Sequence, residues 1–162
     1  MSRSTFSGPI KAGTNKYNTY ANVGTTVLNQ YTALTQNGTN AVSQTLYIPA
    51  GSRIVNILVD VNVVWNSGTS ATLSVGTAAA GTEYASSVDV KTATGRITPT
   101  FTATQLTNML STPIDVAATG TYDACSAVVV TVTPVGTAAT TGTVNVTVVY
   151  TQTDDRNTYN TQ

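Results

Sequence analysis

The stretch Arg53-Ile-Val-Asn-Ile-Leu-Val-Asp-Val-Asn-Val-Val-Trp65 decides the fold. Its odd positions are Val55, Ile57, Val59, Val61, Val63 and Trp65, every one apolar. Its even positions are Ile54, Asn56, Leu58, Asp60, Asn62 and Val64, a mixed set. A period of two sends alternate side chains to opposite faces, so this is a strand with one face in a core and the other half-exposed. Asn66-Ser67-Gly68 follows as a turn, and Ser70 to Gly76 returns with Ala71, Leu73 and Val75 on one face. The pattern predicts an antiparallel hairpin.

The same period recurs on both sides. Val27, Asn29 and Tyr31 alternate with Thr26, Leu28 and Gln30, and Asn37-Gly38 is a turn signal. Val42, Gln44, Leu46 and Ile48 then share a face up to Pro49. A short strand is expected around Tyr84 to Val90. Within Thr102 to Leu110, Leu106, Met109 and Leu110 fall at i, i+3, i+4, the one helix-like spacing in the chain, so a helical turn is expected there, with a loop strand as the alternative. Val128, Val130 and Val132, then Val144, Val146, Val148 and Tyr150, form two further inward rows joined by Pro134 to Gly142, which reads as a second hairpin. Seven or eight short strands at regular spacing predict an all-β, two-sheet antiparallel sandwich of jelly-roll type. The expected organisation is an extended N-terminal arm over 1–24, a sandwich over 25–151 and a polar tail over 152–162.

Composition agrees with this. Only 9% of the 162 residues are charged, against roughly 25% in an average soluble domain, so uncharged polar groups must make the surface. The β-branched residues Thr and Val dominate, and they favour pleated surfaces over helices. Seven basic and seven acidic residues cancel, leaving no field to draw nucleic acid or an anionic membrane, and neither is expected as a partner. No run approaches the roughly 18 apolar residues of a membrane helix. The first residues lack the apolar stretch of a secretory signal, so synthesis and folding in a cytoplasm are expected. Cys125 is the single cysteine and, preceding a Val-rich run, is expected to be a small buried hydrophobe.

Chemistry is thinly supplied. The chain has no histidine, the commonest general base near neutral pH and the commonest metal ligand. Glu83 with Asp89 is the one carboxylate pair whose placement invites a test for glycosidase chemistry. No phosphate loop or calcium loop is present. No enzyme, metal or cofactor is expected. Trp65 lies on the apolar face and is read as core. The arm carries Arg3, Lys11 and Lys16 together with Phe6, Ile10, Tyr17 and Tyr20, and from it Phe6, Ile10, Lys11, Lys16, Tyr17 and Tyr20 are the candidate partner-binding residues.

Four phrases carry a resemblance: Ser4-Thr-Phe-Ser-Gly-Pro-Ile-Lys-Ala-Gly-Thr14, Ile48-Pro-Ala-Gly-Ser-Arg-Ile54, Val59-Asp-Val-Asn-Val-Val-Trp-Asn-Ser-Gly-Thr69 and Val144-Asn-Val-Thr-Val-Val-Tyr150. Together they resemble small structural proteins of tailed phages of marine bacteria. The resemblance implies a capsid decoration (cement) protein: a jelly-roll-like fold, often a homotrimer, seated on the major capsid protein at the outer surface of the virion. It assigns no residue a role, because decoration works through surfaces. A receptor- or glycan-binding module of a phage fibre is the alternative for the same fold, with exposed tyrosines such as Tyr84 or Tyr122 as its stacking groups.

Overall fold

A computed structural model describes residues 27–49, 52–110 and 125–151. The strands are β1 (Val27–Thr35), β2 (Val42–Pro49), β3 (Arg53–Val63), β4 (Ser70–Gly76), β5 (Ala85–Asp89), β6 (Gly95–Ile97), β7 (Cys125–Val135) and β8 (Thr143–Thr151), with one helix, α1 (Ala103–Met109). They form two antiparallel sheets, ordered β1-β8-β3-β6 and β2-β7-β4-β5. Chain neighbours occupy matching places in the two orders: β1 with β2, β8 with β7, β3 with β4, β6 with β5. This is the jelly roll, and the all-β two-sheet expectation holds. The expected arm (1–24) and tail (152–162) lie outside the described residues.

The two hairpins read from the sequence are corrected. β3 and β4 belong to different sheets, as do β7 and β8, so residues 64–69 and 136–142 arch from one layer to the other. Alternation could not separate the cases, because an arch also leaves both strands with their apolar faces pointing inward. Asn66 stitches the two arches together. Its Oδ1 accepts the N–H groups of Thr140 (2.8 Å) and Thr141 (3.0 Å), and its Nδ2 donates to Thr140 Oγ1 (2.8 Å). Trp65, fully buried, plugs that end of the sandwich, and Gly142 (φ +152°) leaves room for its indole.

The apolar face of β3 is also corrected at two points. Ile57, Val59, Val61 and Trp65 are buried as expected, but Val55 and Val63 are exposed and Ile54 is buried in place of Val55. The β3–β8 register shifts between Ile54 and Asn56 and again between Val61 and Val63. Each irregularity adds a residue to β3 and flips the phase of the alternation. At the first, Asn56 Oδ1 accepts the Ile57 N–H (2.8 Å).

The core fills the space between the layers. Leu34, Leu46 and Ile48 come from the first two strands, Leu73 and Val75 from β4, and the rows Val128, Val130, Val132 and Val144, Val146, Val148, Tyr150 from the last two. Val129 and Thr131, on the opposite face of β7, are buried as well. The β4–β5 connection is tied over them: the Ala80 N–H donates to Thr131 Oγ1 (2.9 Å), which also bonds Ser43 Oγ (2.9 Å).

Of the helical turn and the loop strand that 102–110 leaves open, the structure has the helix, but its buried face differs from the expected one. Gln105 and Met109 are buried, whereas Leu106 and Leu110 are about half exposed. A capping box explains the rotation: Thr102 Oγ1 accepts the Gln105 N–H, and Gln105 Oε1 accepts the Thr102 N–H. The Gln105 amide then donates to the Thr82 carbonyl (3.0 Å) and to Ser86 Oγ (3.1 Å), so this buried polar side chain is fully partnered and anchors the helix to β5. Cys125 is exposed, contrary to expectation. It sits at the start of β7 opposite Pro49, on the outward phase, while its neighbour Ser126 takes the buried place.

Tyr84 is fully buried with no hydrogen-bond partner for its hydroxyl among the described residues. Burial, and secondarily the Glu83 charge, pushes its pKa up to about 12. The unfolded chain therefore loses this proton near pH 10 while the folded chain holds it, so stability present below pH 10 falls as pH rises towards 12, by up to roughly 2.5 kcal/mol. Urea titrations at pH 8 and pH 11 should show Tyr84→Phe at least as stable as the wild type at pH 8 and clearly more stable at pH 11. A Phe variant as alkali-sensitive as the parent would refute the assignment.

Candidate association surface

The sandwich has two flanks, one where β1 overlies β2 and one where β5 and β6 form the edges. Charge separates them. The charged groups among the described residues are Arg53, Asp60, Glu83, Asp89, Lys91 and Arg96. Those on or beside the β5–β6 flank are locked into local contacts. Arg96 forks onto Asp60 (Nε–Oδ1 2.8 Å, Nη2–Oδ2 2.9 Å), fastening the three-residue β6 to β3. That hydrogen bond, reinforced by the Arg96 charge, holds the Asp60 carboxyl below its usual range. Asp89 is lowered by the Thr92 hydroxyl and the backbone N–H of Lys91, whose Nζ in turn reaches the Ser67 carbonyl. Glu83 accepts the Thr77 N–H (3.2 Å). Glu83 and Asp89 thus each close a separate turn. Among the described residues, no cluster of three or more acid, Cys or His side chains could hold a metal ion.

The β1–β2 flank is the opposite. No Lys, Arg, Asp or Glu occurs between Lys16 and Arg53. β1 spans nine residues and β2 eight, against five for β5 and three for β6. Soluble β-proteins blunt their edges with short strands, charges, bulges or unusual backbone. Here those devices (short strands, the Asp60–Arg96 pair, Ser87 at φ +56°, the shifted β4–β5 register) gather on the β5–β6 side. β1 runs in unbroken register with β8, and β2 with β7. Only Pro49, at the end of β2, and the Gln30 amide, which donates to the Tyr47 carbonyl (2.7 Å), interrupt this flank. Val27, Tyr31 and Tyr47 stand exposed on it, the two tyrosines on the outer faces of opposite sheets.

The six arm residues singled out from the sequence, Phe6, Ile10, Lys11, Lys16, Tyr17 and Tyr20, lie outside the described residues. The body does show where that arm leaves: Val27 pairs with Thr151, and Thr151 with Arg53, so the chain departs at the end of the sandwich opposite Trp65. Tyr31 and Tyr47 are among the tyrosines that the sequence leaves open as lining an interface or a ligand face, and the charge-free run between Lys16 and Arg53 is the signal that sets these two apart. Tyr84 is buried and offers no face to a ligand, and Tyr122 lies outside the described residues.

No family model matches the chain, and no curated protein does. Its fold is similar to that of a chain in a solved structure described as the cyanophage Pam1 capsid asymmetric unit, with a TM-score of 0.50 and 19% identity over 93% of this chain and 98% of that one. At this identity the likeness is one of fold, carried over nearly the whole length of both chains.

Proposed function

We propose that the chain is a virion structural protein of a tailed phage, a decoration protein that binds the outer surface of the head and stabilises it through contacts between subunits. The observation that carries this reading is the pairing of a jelly roll, matched along its length by a chain of a phage capsid structure, with one long, charge-free and unblunted flank. An uncharged flank meets a neighbour without leaving unpaired charge in the contact, which is the expensive outcome. The partners are the major capsid protein and further copies of the chain, in a homotrimer, with Phe6, Ile10, Lys11, Lys16, Tyr17 and Tyr20 of the arm reaching adjacent subunits. The glycan-binding alternative is not supported by a shared aromatic platform, since Tyr31 and Tyr47 face away from one another and Tyr84 is buried.

Purified protein added to undecorated phage shells should bind saturably and raise the temperature at which the shells break open. Deleting residues 1–24 should weaken binding at least tenfold. Full-length protein that ignores the shells would end the proposal.

A further inference from the structure

β1 presents one open row of backbone groups. Its pairing with β8 continues past Thr35, where the Gln36 N–H donates to the Gly142 carbonyl (3.0 Å). Residues of an antiparallel pair alternate between bonding across the ladder and facing away from it, so Leu28, Gln30, Thr32 and Leu34 bond β8. The N–H and C=O groups of Asn29, Tyr31 and Ala33 therefore point off the sheet, and no partner meets them among the described residues. β2 is less open: the Gln30 amide occupies its Tyr47 carbonyl, and its Pro49 has no N–H.

We propose that this edge pairs with β1 of a second copy of the chain, antiparallel, with Tyr31 on the two-fold axis. The inference rests on association through the neutral flank and names the partner there: the contact joins subunits of neighbouring trimers by merging two four-stranded sheets into one. The order of residues in β1 selects this occupant, because about Tyr31 the strand is its own complement. In that register Leu28 lies beside the partner subunit's Leu34, Gln30 beside the partner's Thr32, Asn29 beside the partner's Ala33 and Val27 beside the partner's Thr35. The inward row thus sets apolar against apolar and amide against hydroxyl, and the two exposed Tyr31 rings meet as a cross-strand pair. No charge on the strand opposes the contact. The chain's own segments fit the edge less well. Residues 1–26 must reverse just before Val27: a two-residue reversal puts the β-branched Thr25 and Thr26 where φ > 0 is required, and loops of three, four or five residues set Lys16, Asn15 or Thr14 opposite the buried Leu34. Residues 152–162 offer Asp154, Asp155 and Arg156 and, in Tyr159, one large apolar group. Residues 111–124 leave from α1, which packs on β3, with β8 between β3 and β1. A single strand edge falls at the low end of interface sizes, so the free protein pairs reversibly.

Hydrogen exchange tests this on the unaltered chain. The outward amides of Asn29, Tyr31 and Ala33 should exchange at least tenfold more slowly in concentrated than in dilute protein, while those of Gln30 and Thr32 stay slow throughout. Protection of the three that is indifferent to dilution, the signature of the chain's own arm on the edge, overturns the proposal, as does fast exchange at both concentrations. Single cysteines in a Cys125→Ser background read the register. Under mild oxidation Tyr31→Cys, on the axis, should link two chains at least tenfold faster than Ala33→Cys, which the two-fold keeps roughly 14 Å from its counterpart. Asn29→Cys combined with Ala33→Cys should restore the fast link. Equal rates at positions 31 and 33, or no gain from the combination, overturn the proposal. Both measurements are made without shells, so a failure of this pairing and a failure of shell binding are separate results.

Discussion

Gly142→Ala should destabilise the protein by about 3–4 kcal/mol, the sum of a strained backbone and an overpacked core. A Cβ at this position would lie 2.5 Å from Trp65 Cδ2 and 2.7 Å from its Cε3, distances no real Cβ tolerates, and the backbone there is at φ +152°. The indole has nowhere to retreat, because Trp65 is fully buried and held where the two arches meet. In a domain of this size the loss corresponds to a fall of roughly 10 °C in melting temperature. The control is a double-mutant cycle: Trp65→Leu alone is costly, yet in its background Gly142→Ala should cost at least 1 kcal/mol less than in the wild type, because the colliding ring is gone. Calorimetry on the four proteins measures this. A Gly142→Ala variant within about 0.5 kcal/mol of wild type would refute the packing account.

The second large effect is on association and leaves the fold untouched. Ala33→Lys on β1 with Thr45→Lys on β2 puts two charges on the neutral flank, both at exposed positions. If that flank meets a capsid or sister subunit, an unpaired lysine must be desolvated at each contact, at about 3 kcal/mol or more in all. Binding to shells should then weaken by roughly a hundredfold. The melting temperature of the free protein should move by only a few degrees, since exposed edge lysines are well tolerated. The matched control is Ala93→Lys beside the short, charged edges, where binding should be unchanged. Equal binding by the flank variant and the wild type would show that contact is made elsewhere.

The reading of fold class from sequence succeeded where period two was backed by burial on one side only, as in Val144, Val146, Val148 and Tyr150, all of which face the core. It failed on connectivity, because Asn66-Ser67-Gly68 looks alike whether the chain turns within a sheet or arches over to the other. The distinguishing contacts run from Asn66 to Thr140 and Thr141, far along the chain. It failed on Val55 and Val63 because a bulge is a property of two strands in register, and neither β3 nor β8 announces it alone. The helical spacing of Leu106, Met109 and Leu110 was visible, but of the three only Met109 is buried, and Gln105 is buried beside it, its polar character hiding that role until its partners Thr82 and Ser86 were in place. The candidate surface was legible only as an absence of charge between Lys16 and Arg53, which acquires meaning once β1 and β2 prove to be the long edges of one flank.

The position of the last strand also dictates when the molecule can exist at all. β8 lies between β1 and β3, and β7 between β2 and β4, so one of the two central strands of each sheet comes from the last described part of the chain. Apart from β4 with β5, no strand among the described residues pairs with its neighbour in sequence. A chain emerging from the ribosome therefore cannot assemble either layer until residues beyond Cys125 have appeared, and the neutral β1 and β2 wait unpaired throughout. Folding of either layer must wait for β7 and β8, with refolding times of roughly milliseconds to seconds typical of such non-local topologies. It is in this interval, before the roll closes, that the strands best suited to joining neighbouring subunits are most exposed to joining the wrong ones.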